Sequence, residues 1–430
     1  MRRTYLIAAA APALFAPLLA HAAPALTAET ALESRAADVV AVIQGSRPPA
    51  EVFSEAFLAA IPAEQFAAIS ADFAKQGGKI TGAEPVTVVA PGAARFTIHF
   101  ERADAVAVIQ IEPATPFKVI GFRVTDFVPT GDTPARIAAD FALLPGASGF
   151  ALARLGDATP AMLAGHNPDS QLAIGSALKL YVLSALVDDI AARRRKWNDV
   201  VPLGARSLPS GMMQDWPAKS PVTLHTLATL MISISDNTAT DTLIRLVGRD
   251  AVAKAMRSSG HSDPSRTRPF LTTIEAFGLK GGSDERIAQY NAADDAGQAR
   301  LLGEWADTLT AQRVGAEGTL HAEPRAIDSI EWFASPADVV RVLDRLRRQN
   351  DPAALAILGV SPGMSAASRS AWDYAGFKGG SETGVISLNW LLRDKAGQWF
   401  ALTGSWNDPE KAVDNAKFQQ LMARLDKFAR

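Results

Sequence analysis

Three short segments carry side chains that together could attack a carbonyl: Ser176-Ala-Leu-Lys179, Ser235-Asp236-Asn237 and Lys378-Gly379-Gly380. They supply a hydroxyl nucleophile, an amine able to take its proton, a second hydroxyl beside an amide, and a cation for an anionic substrate. Positions three apart on a helix share a face, so Ser176 and Lys179 point the same way. In the first turn of a helix Ser176 lies at the positive end of the dipole, which favours a forming oxyanion. Lys179 sits among Leu178, Leu180 and Val182. Desolvation there favours the neutral amine, the form that accepts a serine proton. Equally, such a lysine could lie along the surface of a core helix with its stem on apolar neighbours.

Ser235-Asp236-Asn237 falls between two helical patterns, Val222 to Ile234 and Thr238 to Val247. Asn237 or Thr238 would cap the second helix. At the same time Ser235 could relay a proton to a leaving group, and Asn237 could donate to a substrate amide or ester. Lys378-Gly379-Gly380-Ser381 precedes a strand pattern at Val385 to Leu392 and reads as a glycine-rich turn or as a strand edge that a substrate can approach closely. In the second reading Lys378 holds a carboxylate, and the backbone amides of Ser381 and Ser176 form an oxyanion hole.

The three motifs in this order resemble those of class A β-lactamases and penicillin-binding proteins. The stretch Ile174-Gly-Ser-Ala-Leu-Lys-Leu180 is similar to that family's nucleophile helix, and the 59-residue step from Ser176 to Ser235 is similar to its usual separation. The resemblance spans roughly Ala135 to Arg430. It implies Ser176 as nucleophile, Lys179 as proton acceptor in acylation, Ser235 as proton relay, Asn237 as substrate amide contact, Lys378 as carboxylate anchor and Ser381 as oxyanion donor; Gly380, between the last two, is the further candidate substrate-binding residue. The whole-chain layout also resembles serine hydrolases related to the clavulanate-pathway cephalosporin esterase. These pair a steroid-isomerase-like (NTF2-like) domain with a β-lactamase-like domain.

Three departures stand out. Gly379 replaces the usual Thr or Ser, so a hydroxyl contact to the substrate carboxylate is lost. The 143-residue step from Ser235 to Lys378 is longer than in the family and implies an insertion around Ser283 to Ser329. No Arg-x-Glu-x-x-Leu-Asn segment, which carries the deacylating glutamate of class A enzymes, is present. Glu275 lies 40 residues after Ser235, near the expected place, and is the candidate general base. Ser335-Pro-Ala-Asp338 resembles the segment that follows that loop, which makes Glu323 or Glu331 alternatives.

The elements that must position these groups divide into two domains, as a chain of 430 residues with 48% hydrophobic content suggests. Arg2 and Arg3, the apolar run Tyr5 to Ala20 and the Ala20-His21-Ala22 site read as a signal peptide over residues 1–22, implying a periplasmic or secreted protein without a stable membrane anchor. Residues 23–130 read as a small α+β domain. A helix at 29–44 carries Leu32, Ala36, Val39, Val40 and Ile43 on one face. A second runs from Glu51 to Lys75 with a break near Pro62, and about four antiparallel strands follow, in which Phe96, Ile98, Phe100 and Ile120, Phe122, Val124 alternate. This part contains no tyrosine between Ala23 and Val128, which argues against a proton-shuttling isomerase and for a scaffold or ligand-gating role.

Residues 131–430 read as the second domain. It has a strand at Gly149 to Leu155, a long helical stretch to about Lys280, strands at Gly384 to Leu392 and Trp399 to Ser405, and a last helix. Strands from its two ends would pair into one antiparallel sheet with helices on both faces. The run Arg193-Arg194-Arg195-Lys196 ends a helix pattern, where cations suit the dipole.

With no cysteine, a net charge of −2 and six scattered histidines, the sequence offers no disulfide, thiol nucleophile, metal site, cofactor or nucleic-acid surface. The expected function is a secreted serine hydrolase that cleaves an ester or a β-lactam through an acyl-enzyme on Ser176. A true β-lactamase, a D,D-peptidase acting on peptidoglycan-derived substrate, and a penicillin- or peptidoglycan-binding sensor without turnover are the alternatives.

Overall fold

The computed structural model describes residues 28–314 and 322–429. The signal-peptide segment read at 1–22 lies outside the described residues. Two compact units meet between Thr133 and Pro134.

The first unit is α+β. Helix Ala28–Ile43 turns Leu32, Ala36 and Val39 into an apolar core with Val42. The expected second helix is three pieces: Pro49–Val52, Glu55–Ala60 and Ala63–Gly77. Pro49 can begin a helix but cannot continue one. Ser54 restarts the chain as an N-cap, its hydroxyl accepting from Phe57 N at 3.2 Å. A five-stranded antiparallel sheet follows, one strand more than expected, because the short Thr87–Ala90 pairs onto Ala93–Phe100. Phe96, Ile98 and Phe100 face the core as their alternation requires. In Val119–Pro129 the register shifts opposite Gln110 and Ile111, so Val119 is buried and Ile120 is only half-buried, contrary to the simple alternation.

The second unit is built on a five-stranded antiparallel sheet. Its spatial order is Tyr374–Glu382, Val385–Arg393, Trp399–Asn407, Ala147–Leu155 and Ala161–His166, so strands from the two ends of the unit pair at its centre. The last of these strands, and the two short ones Val200–Pro202 and Pro221–Thr223, fall where the sequence pattern reads as helix or loop. They are too short or too exposed to show a burial alternation. One sheet face presents Phe150, Leu152, Leu392 and Leu402 to helices Pro134–Ala142 and Asn415–Leu425. The other presents Ala151, Ala153, Leu391 and Ala401 to a larger helical layer. At the heart of that layer lies Lys179–Ala191, where Leu180 to Val187 are all buried. A helix apolar around its first two turns belongs inside the protein there, and this places Lys179, its first residue, in the interior.

One correction concerns the motifs. Ser176 lies in a short 3-10 turn, Gly175–Leu178, that leads into that helix rather than in the helix itself. Of the two readings of Lys378-Gly379-Gly380-Ser381, glycine-rich turn or strand edge, the structure has the strand edge: the four residues lie inside the edge strand Tyr374–Glu382. In the expected insertion, helices Asp284–Asn291 and Asp295–Glu304 and the short Ala311–Val314 are described.

The chain just before the turn that carries Ser176 is pinned to the sheet by a residue of the central strand. Asn407 Oδ1 accepts from Ala173 N at 2.7 Å and its Nδ2 donates to Ala173 O at 3.0 Å. Asn407→Ala leaves both buried groups unpaired. A loss of about 2–4 kcal/mol in urea unfolding is expected, and an unchanged midpoint would refute this role.

Candidate active site

Ser235 Oγ is the meeting point of two buried amines. Lys179 Nζ lies 2.9 Å from it, and Lys378 Nζ lies 3.1 Å from it. Lys179 Nζ also donates to Ser235 O and to Asn237 Oδ1, both at 2.7 Å. Lys378 Nζ donates to Gly379 O at 2.6 Å. A neutral amine has two N–H groups and one lone pair. With the carbonyl oxygens of Ser235 and Asn237 taking the two N–H groups, the lone pair of Lys179 is left for a hydroxyl. Burial, with the Lys378 charge beside it, pushes Lys179 well below the ordinary lysine value. Burial pushes Lys378 down to about 7.

The loop that carries Ser235 is held from below. Asp236 caps helix Asn237–Val247 through Ala239 N at 2.8 Å, and its other oxygen accepts from Met212 N at 2.7 Å and Met213 N at 2.8 Å. Asn237 N donates to Ser210 O at 2.8 Å, and its Nδ2 donates to Leu208 O at 3.1 Å. These bonds hold Ser235 at φ 61°, a conformation that costs a non-glycine residue energy and is kept only when its surroundings over-determine it.

The edge strand and the nucleophile turn touch through missing side chains. A Cβ on Gly380 would meet Ile174 O and would come within 2.6 Å of Ser176 N. Gly175 has φ +48°, and a Cβ there would lie 3.2 Å from Ser381 N. The amides of Ser176 and Ser381 are thereby brought to one edge. A cavity of about 240 Å³ opens over them. Ser176, Ser235, Asn237, Gly380 and Ser381 all line it. Gly379 has its own reason for being glycine. A Cβ there would lie 2.9 Å from Phe377 Cζ, and the Phe377 ring packs on Trp390 with centroids 5.0 Å apart. A threonine at this position has to displace that ring.

Glu275 does not join this group. It completes a capping box at Thr272, accepting from Thr272 N at 2.8 Å, and pairs with Arg249 at 2.8 and 2.5 Å. Burial pushes its carboxyl up, but the Arg249 guanidinium and the Thr272 bonds outweigh burial and hold it below the usual range. It is a helix-capping and ion-pairing residue, and it does not line the cavity. Glu323 is exposed and is likewise not a lining residue.

Glu382 is among the lining residues that the sequence reading did not single out. Glu382 is the one carboxylate among the described residues that line the cavity. It pairs with Lys280, whose Nζ also donates to Glu331 Oε1 at 3.0 Å. Burial pushes Glu382 up to about 8, against Lys280 and with the help of the Glu331 charge. Burial also lowers Lys280, but the two carboxylates outweigh it and raise its pKa. The adjacency Ser381-Glu382 was visible in the sequence, whereas Lys280 and Glu331 lie 102 and 51 residues from Glu382, too far for spacing to signal.

Among the described residues no group of three His, Cys, Asp or Glu side chains could hold a metal ion, and no helix is long and apolar enough to cross a membrane.

The model of the beta-lactamase enzyme family matches residues 135–360, more than half of the chain. Lys378 lies beyond the matched stretch. Among solved structures, the chain is similar to a beta-lactamase from Sphaerobacter thermophilus DSM 20745, at 21% identity and TM-score 0.48, covering 69% of this chain and 94% of that one. It is similar to a beta-lactamase from Chitinophaga pinensis DSM 2588 at 17% identity and TM-score 0.45, covering 68% and 95%. It is similar to PBP-A at 14% identity and TM-score 0.45, covering 69% and 94%. No curated protein matches the chain.

Glu275→Gln tests the corrected assignment. At neutral pH it should lower stability by about 1–3 kcal/mol through the lost cap and charged hydrogen bonds, with covalent labelling of Ser176 unaffected. The folded pKa of Glu275 is depressed, so its contribution is present above the ordinary glutamate value and lost as pH falls below it. The gap to wild type in thermal melts should therefore close in acid. A Glu275→Gln protein that is fully stable but holds a permanent adduct would restore Glu275 as the base.

Proposed function

The chain belongs to the beta-lactamase enzyme family, and from that premise we propose a secreted serine hydrolase that opens an ester or β-lactam bond through an acyl-enzyme on Ser176. The observation that carries this reading is the single hydroxyl of Ser235 shared by Lys179 and Lys378. Ser176 Oγ forms a bond to the substrate carbonyl carbon, and its proton goes to the neutral Lys179 amine. The amides of Ser176 and Ser381 hold the oxyanion. The proton then passes through Ser235 to the leaving nitrogen or oxygen as its bond to the carbonyl carbon breaks. Lys378, while protonated, holds the substrate carboxylate, and Asn237 Nδ2 has a second N–H for the substrate amide. Gly380 lets the strand edge lie against the acyl group.

Secretion rests on the basic, apolar and small-residue pattern of residues 1–22. The first unit is read as an NTF2-like scaffold, on the strength of helices followed by a five-stranded antiparallel sheet and a stretch without tyrosine between Ala23 and Val128. The physiological substrate belongs to the class of carboxylate-bearing esters or β-lactams.

Rapid-quench intact-mass spectrometry with a chromogenic cephalosporin, and separately with an activated ester, tests the reading. Wild type should carry an adduct that Ser176→Ala lacks, and Ser176→Ala should lose at least about a thousandfold of turnover. An equal adduct on Ser176→Ala refutes it. A persistent wild-type adduct without product would instead mark a sensor.

The Lys378 shift has a kinetic consequence. Its ammonium is present below about pH 7 and is lost above it. In free enzyme, kcat/KM for an ester bearing a carboxylate should fall above about pH 7, whereas a neutral ester should lack that falling limb. Identical profiles for the two esters would remove Lys378 as the carboxylate anchor.

A further inference from the structure

Release of an acyl group from Ser176 needs a group that takes a proton from water, and the segment that carries this group in class A enzymes is missing here. We infer that Glu382 is that general base, with Lys280 and Glu331 as positioning residues. The inference rests on the acyl-enzyme reading above.

Four observations lead there. Glu382 is the one carboxylate among the described residues lining the cavity that Ser176 also lines. It follows Ser381 on the edge strand and lies two positions from Gly380, about 7 Å at the usual rise. Gly380 is itself packed against Ser176 N. Its side chain is 11% exposed, so the carboxylate is nearly dry yet reaches the cavity wall. It is also held in place by the Lys280 ammonium, which in turn is held by Glu331. Helix Thr273–Lys280, which ends in this lysine, is fixed at its other end by Asp241. Asp241 accepts from Thr273 N at 2.7 Å and Ile274 N at 3.0 Å. The carboxylate is thus carried by a strand and oriented by a helix, the rigid support a proton acceptor needs.

The charged neighbours of Glu382 are Lys280 and Glu331, two carboxylates on one ammonium. Both carboxylates cannot stay ionised cheaply in a dry site. A proton on Glu382 neutralises the cluster, and its loss as pH rises supplies the base. In the step itself the water oxygen bonds to the acyl carbon and one water proton goes to Glu382. The intermediate then collapses by breaking the bond from the acyl carbon to Ser176 Oγ. The proton on Glu382 returns to Ser176 Oγ, leaving free serine, a carboxylic acid and the original carboxylate.

The test is the lifetime of a preformed acyl-enzyme made with a chromogenic cephalosporin or a p-nitrophenyl ester. It is followed by intact mass from pH 6 to pH 9 in wild type, Glu382→Gln and Glu331→Gln. Glu382→Gln should acylate within about threefold of wild type and hold its adduct at least about a hundredfold longer, the usual worth of a general base. Wild-type decay should rise about tenfold per pH unit and level off above about pH 8. In Glu331→Gln that midpoint should move to lower pH, because the neighbouring negative charge is gone. A merely structural cluster would change folding and acylation together and would leave the decay profile alone.

Adduct decay in Glu382→Gln within threefold of wild type overturns the inference. If Glu382→Gln does not fold or acylate, the pH profiles of wild type and Glu331→Gln decide, and a pH-independent wild-type decay overturns it. Absence of any adduct on wild type and on Glu382→Gln with either substrate overturns the acyl-enzyme reading itself, and the base falls with it.

Discussion

Two lysine amines are buried against one serine hydroxyl, and among the described residues neither has a carboxylate in ion-pair contact. An unpaired ammonium in a dry interior is strongly disfavoured, so a lysine in such a place gives up its proton rather than its burial. Much of the second unit meets this constraint. Helix Lys179–Ala191, buried throughout Leu180 to Val187, carries the first amine inside. The edge strand turns Lys378 inward while leaving Gly380 without a side chain at the point of closest approach to the turn that carries Ser176. The Asp236 cap holds Ser235 in a left-handed conformation so that its hydroxyl and its carbonyl both reach Lys179. Unseating the hydroxyl would leave both amines short of a partner at once. That is a reason for the loop to be tied so heavily to Met212, Met213, Ser210 and Leu208.

The motif residues were legible because their chemistry and spacing are local. Ser176 and Lys179 share one turn, and Ser235 to Asn237 form one loop. Each motif constrains its neighbours within three residues. The pairing of the unit's first and last strands was legible for a related reason, since each strand is long and strongly apolar. What failed to show is what depends on contacts across the chain. Lys378 to Ser381 read equally as a turn or a strand edge because glycines are counted as breakers, yet Gly380 is a strand residue without a side chain so that another backbone can lie on it. Glu275 read as a base by its distance from Ser235, but its neighbours Thr272 and Arg249 make it a cap. The Lys280–Glu331–Glu382 cluster joins a helix end, a loop and a strand end, and no periodicity connects these.

The departure at Gly379 is better understood as a packing choice than as a lost hydroxyl alone. The position a threonine Cβ would take is in contact with the Phe377 ring, and that ring is held by Trp390 on the neighbouring strand. Residue 379 and residue 377 lie on the same face of the edge strand, two apart, so a large ring at one favours no side chain at the other. A side chain at 379 therefore requires the Phe377 ring, and with it the Trp390 contact, to shift. With no hydroxyl at 379, Lys378 is the cation at this edge, and burial weakens it as a cation above about pH 7.

The same physical force acts with opposite sign on the two kinds of group around the cavity. Desolvation lowers Lys179 and Lys378 and raises Glu382, so amines and carboxylate are all drawn from their ordinary values toward neutrality. Proton transfer is most efficient between groups whose affinities for the proton are similar and close to the ambient pH. In water a lysine and a glutamate differ by about six pH units. Here Lys378 and Glu382 stand near 7 and 8, on the same edge strand and four residues apart. A site dry enough to make a lysine a good base is therefore also dry enough to make a glutamate one, without a separate loop to carry it. One property of the fold, the burial of these groups between the edge strand and the helical layer, thus acts on the amines and the carboxylate alike.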